Sequence, residues 1–293
     1  MQFPGLDIRF ALRDPDTTFH TRMSLPARGR RIELLWAPSE TDDAIAMWLP
    51  DDRLLYAGAA FPGTTIPNIG TPLRTQRFTI RWAETCKLMA SLGATRLVQE
   101  FGPVIDDPAV VHDRLSHTAA SLRWFRREVA ERMNRGMSEH EILADMRYDA
   151  TMLDRPYMRA RYGAPKFVVR DLFREENDWW DRNPASLHPA APAAAAGAVR
   201  AAITDPEAVL REATALHARG ETQLALHVID LLALAAADDG VTRRAQALKA
   251  ALCRQRATEV APHVSRAMHE SSARLLERGE TSWTALADAH ARP

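Results

Sequence analysis

The sequence predicts an α+β protein, with a partial α/β sandwich at the front and an all-helical region behind it. Three observations predict this. Apolar runs with strand character fill residues 31–58, apolar residues recur at helical spacing after Asp107, and an Ala- and Pro-rich stretch from Pro184 to Ala202 divides the helical part. Strands followed by one helix and one more strand favour a layered sandwich over a doubly wound sheet. The boundary is expected near residue 110, giving a sandwich domain over 1–110 and a helical domain over 111–293.

The elements follow in order. Arg31 to Ala37 is apolar with poor alternation, the pattern of a strand buried on both faces. Ala44 to Leu49 and Arg53 to Ala57 flank Pro50-Asp51-Asp52, a hairpin-like turn in which proline fixes φ. Residues 77–92 turn helical, and Gly93 fits the left-handed residue after a helix end. Thr95 to Glu100 reads as a further strand. Leu115, Ala119, Leu122, Val129 and Met133 then mark a helix that stops at Asn134-Arg135-Gly136. Ser138-Glu-His-Glu141 has the form of a capping box, with the hydroxyl and the Glu carboxylate serving orphan backbone donors. Asp205-Pro206-Glu207 opens a helix that Gly220 closes. Leu224, Val228, Leu231 and Leu232 mark the next helix, and Ala245, Leu248 and Leu252 the one after. Such short helix hairpins are similar to tetratricopeptide packing, although no clean repeat period is present.

Composition narrows the class. Apolar residues make up 46% of the 293, enough for a sizeable core. The 38 basic and 38 acidic residues cancel, which argues against a general grip on nucleic acid or an anionic membrane. The first residues carry charges throughout and no signal-peptide core, and no stretch approaches the ~20 apolar residues that span a bilayer. Cys86 and Cys253 are far apart and signal neither a disulfide framework nor a thiolate metal site. A soluble cytoplasmic protein is expected.

Several segments, read in order, resemble the alkylsulfatase branch of the metallo-β-lactamase superfamily. They are Pro38 to Asp43, Ile66 to Ile69 followed by Thr71 and Arg74, Phe101 to Val104, Met133 to Gly136 with Ser138 to Ile142, Arg161 to Gly163, and Trp179 to Pro184. The last three resemble that family's helical dimerisation region. The resemblance implies a partial metallo-β-lactamase-like αββα sandwich followed by a dimerisation domain. It also implies a dinuclear zinc site, where each ion takes about four nitrogen or oxygen ligands. The departures matter here. The family's His-x-His-x-Asp-His run is absent from the sequence, Glu40 occupies a position similar to one acidic ligand, Ala59 replaces the next, and Phe101 stands where a histidine is expected. Neither a methyl nor a phenyl group can ligate zinc, so the chain by itself is expected to hold no metal; zinc would require ligands from a partner.

By the same resemblance, Glu40 and Asp43 are candidate catalytic carboxylates, and a sulfate ester is gripped by Asn68 and Arg74 with Thr71 nearby. The spacing carries one residue more than the family pattern, which leaves open which arginine fills the role. A guanidinium offers a planar fork of donors to a tetrahedral oxyanion, and an amide adds another. Loss of ligand positions beside a retained sulfate clamp predicts a subunit that works with a second alkylsulfatase-like chain on a small sulfate ester. It resembles the aziridine-forming, sulfate-eliminating protein pair of azinomycin-type biosynthesis, in which a neighbouring amine displaces sulfate. The alternative is a non-catalytic scaffold for an active homologue.

The plainer readings remain beside these. Ser, Thr and Asp around Glu40 favour turns, Asn68 after Pro67 is a turn residue, and Arg74 with Arg77 and Arg81 makes a solvated helix start. His112 and His117 do not share a helical face, and His217, His227, His263 and His269 read as surface or packing residues. Trp179 and Trp180 read as anchors of the core or of a subunit contact.

Overall fold

A computed structural model of the chain describes residues 13–237 and 239–283. Four strands, β1 (Arg22–Leu25), β2 (Ile32–Trp36), β3 (Ile45–Leu49) and β4 (Leu54–Tyr56), form an antiparallel meander. Helix α1 (Thr79–Ser91) then crosses back, and β5 (Arg96–Val98) joins β4 in parallel, with Leu55 opposite Leu97. The turn at Pro50–Arg53 closes as expected, with the Arg53 N–H donating to Pro50 O at 3.3 Å.

The two faces of this sheet differ. Leu35, Ala46, Trp48, Leu55 and Leu97 project inward and are buried against α1, which contributes Trp82, Cys86 and Met89. The outward set is equally apolar but partly open, with Trp36, Ile45 and Tyr56 about 40% exposed. Strand β2 is therefore buried on one face and not on both; its poor alternation records an apolar outer face rather than a covered one.

Behind α1 lies α2 (Pro108–Asn134), capped by Asp107, whose carboxylate accepts the Ala109 N–H at 2.8 Å. The chain then turns at Gly136 into α3 (Glu139–Asp145), where the Ser138–Glu141 capping box is complete. A short α4 (Ala150–Leu153) and α5 (Pro165–Asn177) finish this layer. One continuous core runs from Leu35 to Phe173, so packing crosses residue 110 without a break: α2 and α5 belong to the same body as the sheet.

The Ala-rich break is itself helical, as α6 (Pro192–Ala202), because alanine costs a helix least. After it come α7 (Pro206–Ala218), α8 (Thr222–Ala233), α9 (Gly240–Glu259) and α10 (His263–Glu277), packed pairwise around a second core. In α8 the buried stripe is Ala225, Leu226, Ile229, Leu232 and Ala233; of the expected stripe, Leu232 is buried and Val228 packs against this core, whereas Leu224 and Leu231 are exposed. Trp179 is 59% exposed and Trp180 38%, which removes both from the core. No helix among the described residues is long and apolar enough to cross a membrane.

Candidate functional site

The loop from Ile66 to Thr71 enters the first body almost completely buried, with Ile66 and Ile69 fully covered and Asn68 at 4% exposure. Its geometry depends on Gly70, whose φ is +68°. A Cβ there would collide with the Phe167 carbonyl group of α5, so only glycine allows the approach. The Ile66 N–H donates to Arg159 O at 3.0 Å, which joins this loop to the segment before α5.

Asn68 is the centre of a buried polar chain. Its Nδ2 donates to Glu40 Oε1 at 2.9 Å, its Oδ1 accepts the Thr71 hydroxyl, and its backbone oxygen accepts Arg77 Nη1. Arg77 Nη2 also lies 3.4 Å from Glu40 Oε2, and this arginine is 6% exposed. Its backbone N–H donates to Asp171 Oδ2 at 3.3 Å, so α5 supports the arrangement from behind. Burial is the first cause that pushes the Asp171 carboxyl up to about 6. Buried polar groups tied in this way fix one conformation, since an unpaired member would cost its full desolvation.

Glu40 and Asn68 open onto a cavity of about 300 Å³ whose other walls are Pro62, Thr64, Thr65, Glu100, Phe101, Arg161 and Tyr162. The Glu100 carboxyl is raised above its ordinary range by burial first and by the charge of Glu40 second, with Arg77 opposing. Arg161 is exposed toward solvent and lines the cavity, and its side chain makes no hydrogen bond or ion pair among the described residues. It is the cation of the cavity that is free to meet a ligand, whereas Arg77 is committed to Glu40 and Asn68.

The expected residues divide accordingly. Glu40, Asn68 and Thr71 are brought together. Arg74 is not: the chain leaves the buried loop after Thr71, Leu73 takes a positive φ of 64°, and residues 72–75 are exposed. The buried guanidinium is Arg77, three residues later and just before α1. Asp43 also stands apart, because the turn in which the Ala44 N–H donates to Thr41 O carries it to an outer cleft with Trp36 and Ile45. Asp42 pairs with Arg81 at 2.5 Å on the surface. Arg161 and Glu100 join the site without having been expected there. The Arg161-Tyr162-Gly163 segment is visible as a motif, but nothing local says that it returns to a loop some 95 residues earlier.

Ala59 sits in a short 3-10 turn and Phe101, 55% exposed, at the cavity rim. Among the described residues no three His, Cys, Asp or Glu side chains are gathered to hold a metal ion. At the described positions where the resemblance places zinc ligands, only Glu40 offers a ligating side chain, and Ala59 and Phe101 do not fit that role.

The model of the alkyl sulfatase dimerisation family matches residues 138–279. A linear primary-alkylsulfatase from a Pseudomonas strain is 26% identical over 214 residues, covering 72% of this chain and 40% of that protein. An (R)-specific secondary-alkylsulfatase from Pseudomonas is 30% identical over 148 residues, covering 50% of this chain and 22% of that one. The solved stereoselective inverting sec-alkylsulfatase from Pseudomonas superposes with a TM-score of 0.82 at 22% identity, over 92% of this chain and 43% of its own. The chain thus spans less than half the length of these relatives. The structural likeness bears out the α+β arrangement of a sheet followed by many helices.

Proposed function

We propose that this chain, which is alkylsulfatase-like and carries an alkyl sulfatase dimerisation region, binds a small sulfate ester and serves C–O cleavage with release of sulfate as one subunit of a heteromer. The observation that carries the reading is Arg161, an uncommitted guanidinium facing the same cavity as Asn68 and Glu40. A planar fork of donors suits a sulfate oxyanion, and charge that gathers on departing sulfate is stabilised by donors already in place. The half-open apolar face of the sheet, with Trp36, Ile45 and Tyr56, supports a companion, a second alkylsulfatase-like chain that covers it and completes the cavity.

Within that reading, the finer mechanism is elimination by a neighbouring amine of the substrate, as in aziridine formation. The amine lone pair forms the new C–N bond while the C–O bond breaks, and sulfate leaves with that electron pair. The nitrogen then gives its proton to a cavity carboxylate. Two carboxyl groups, Glu40 and Glu100, beside one free arginine form a mixed-charge lining suited to an amino sulfate that enters as a zwitterion and gives a first proton to a carboxylate before its lone pair attacks. This route needs no activated water. We extend the proposal to natural-product biosynthesis of the azinomycin type.

The second reading is a scaffold that turns nothing over and supports an active zinc-dependent homologue. It is favoured by Glu40 itself, which already occupies the Asn68 amide and the Arg77 guanidinium. The two are separated by co-purifying the natural companion chain, supplying an alkyl sulfate and a vicinal amino sulfate, and measuring sulfate release together with the metal content. Release that falls at least about tenfold in Arg161→Ala, with Arg74→Ala unchanged, is expected; that fold-change corresponds to about 1.4 kcal/mol. Absence of release, or release indifferent to Arg161, sinks the catalytic reading.

A further inference from the structure

The wall that carries Arg161 is held from two sides. On the inner side, the Thr65 hydroxyl donates to Arg159 O at 3.2 Å and accepts the Tyr162 N–H at 3.1 Å. On the outer side stands the start of α10, a helix that belongs to the second core and begins 102 positions later in the sequence, at His263. The His263 N–H donates to Arg161 O at 2.7 Å and the Val264 N–H donates to Tyr162 O at 3.2 Å. The His263 and Tyr162 rings are stacked, with centroids 5.7 Å apart and planes 16° from parallel. Val264 is buried.

The first backbone donors of a helix lack intrahelical acceptors. Here the residue before the helix is Pro262, which offers no side-chain cap. Two consecutive carbonyls of the cavity wall accept these N–H groups instead. The exchange serves the helix start and fixes the peptide groups on both sides of Tyr162, the first of which carries the Arg161 carbonyl, while the Arg161 guanidinium has no partner among the described residues.

We infer that His263 is a positioning residue for the cavity: by stacking on Tyr162 and anchoring the first turn of α10, it holds the Arg161 backbone so that the guanidinium faces the ligand. The start of α10 and the cavity wall are then one device, and the affinity of the site for a sulfate group is read partly from that helix. The inference rests on Arg161 as the anion-binding residue, but the placement of Arg161 can be measured without any ligand.

The test uses the full chain and three variants, His263→Ala, His263→Phe and Tyr162→Leu. Inorganic sulfate is titrated calorimetrically, and modification of Arg161 by phenylglyoxal is followed by peptide mass spectrometry. Removing the stack in His263→Ala is expected to weaken sulfate about fivefold, the scale of releasing one long side chain, and to speed Arg161 modification. The His263→Phe variant keeps a ring and should restore both values, which a general loss of stability would not do. Tyr162→Leu removes the stack from the other side and should reproduce the His263→Ala result, so it decides the matter if that variant does not fold. Wild-type affinity and wild-type modification rate in variants without the stack overturn the inference. If no protein binds sulfate, the function proposed above fails, while the modification rates still judge His263.

Discussion

The two cores of this protein are built by different rules. The second, around Ala213, Ala225, Ile229, Leu232, Ala245 and Leu252, is made of small and branched apolar side chains, and its charges pair at the surface, as Arg254 does with Glu277 at 2.7 Å. The first is larger, yet it also buries Asn68, Thr71, Arg77 and Asp171 in one connected set. Apolar packing alone suffices to fold a helical hairpin array. Burying a guanidinium and a carboxyl group does not add stability cheaply, since a well-packed apolar replacement is often as stable or more so. The polar set therefore marks the body whose sequence apolar packing alone does not account for.

The largest effect that would break this contrast is expected at Gly70. Gly70→Ala places a methyl group against the Phe167 carbonyl at a positive φ, and a loss of about 4 kcal/mol or more from the first body should appear in urea unfolding. A melt indistinguishable from wild type would mean that the loop is not locked as described. Next comes Ile229→Ala, which removes a fully buried side chain from the second core and should cost about 3 kcal/mol. Below its melting temperature this variant should retain sulfate affinity, since it leaves the His263 and Tyr162 stack in place; a large loss of affinity would show that the two bodies are not separable in this way.

The smallest expected effect is a pH dependence at Asp171. Its carboxyl is raised from 3.8 to about 6 in the folded chain, chiefly by burial, so the folded state binds the proton more tightly than the unfolded state. Stability then falls as pH rises between about 4 and 6. Above that window it is lower by roughly 2 kcal/mol, since each pH unit between the unfolded and folded values contributes about 1.4 kcal/mol and solvent screening takes some of it back. Asp171→Asn should flatten this slope in unfolding curves collected across the same range. An unchanged slope would assign the pH dependence to other groups, Glu175 among them, whose carboxyl burial also raises.

Much of this was legible in the sequence where a local rule is decisive. The capping box at Ser138, the proline turn at Pro50 and the helix start at Asp205 involve residues within a few positions of each other, and all formed as expected. The grouping of Glu40, Asn68 and Thr71 was also legible, through a family pattern. Arg74 and Arg77 could not be told apart, because a positive φ at Leu73 sends one arginine to solvent and its neighbour inward, and leucine gives no warning of that conformation. Arg161 was hidden for another reason. Its place in the cavity wall comes from a pairing between Ile66 and Arg159 and from a helix about a hundred residues later, and neither leaves a periodic trace. The α8 stripe was only partly legible because Ala225 and Ala233 share the core face with Leu226, Ile229 and Leu232, while the equally conspicuous Leu224 and Leu231 face outward.

Glu40 has a last consequence. A carboxylate fixed to the same polypeptide confronts the Asn68 amide and Arg77 at an effective concentration in the millimolar range or above, whatever the solution contains. Chloride, acetate and other simple monoanions must compete with that internal rival and gain nothing it lacks. On the proposed reading, a sulfate ester would bring a third oxygen and an organic arm that a carboxylate cannot imitate, and the tethered acid would then act as a selectivity filter against simple monoanions.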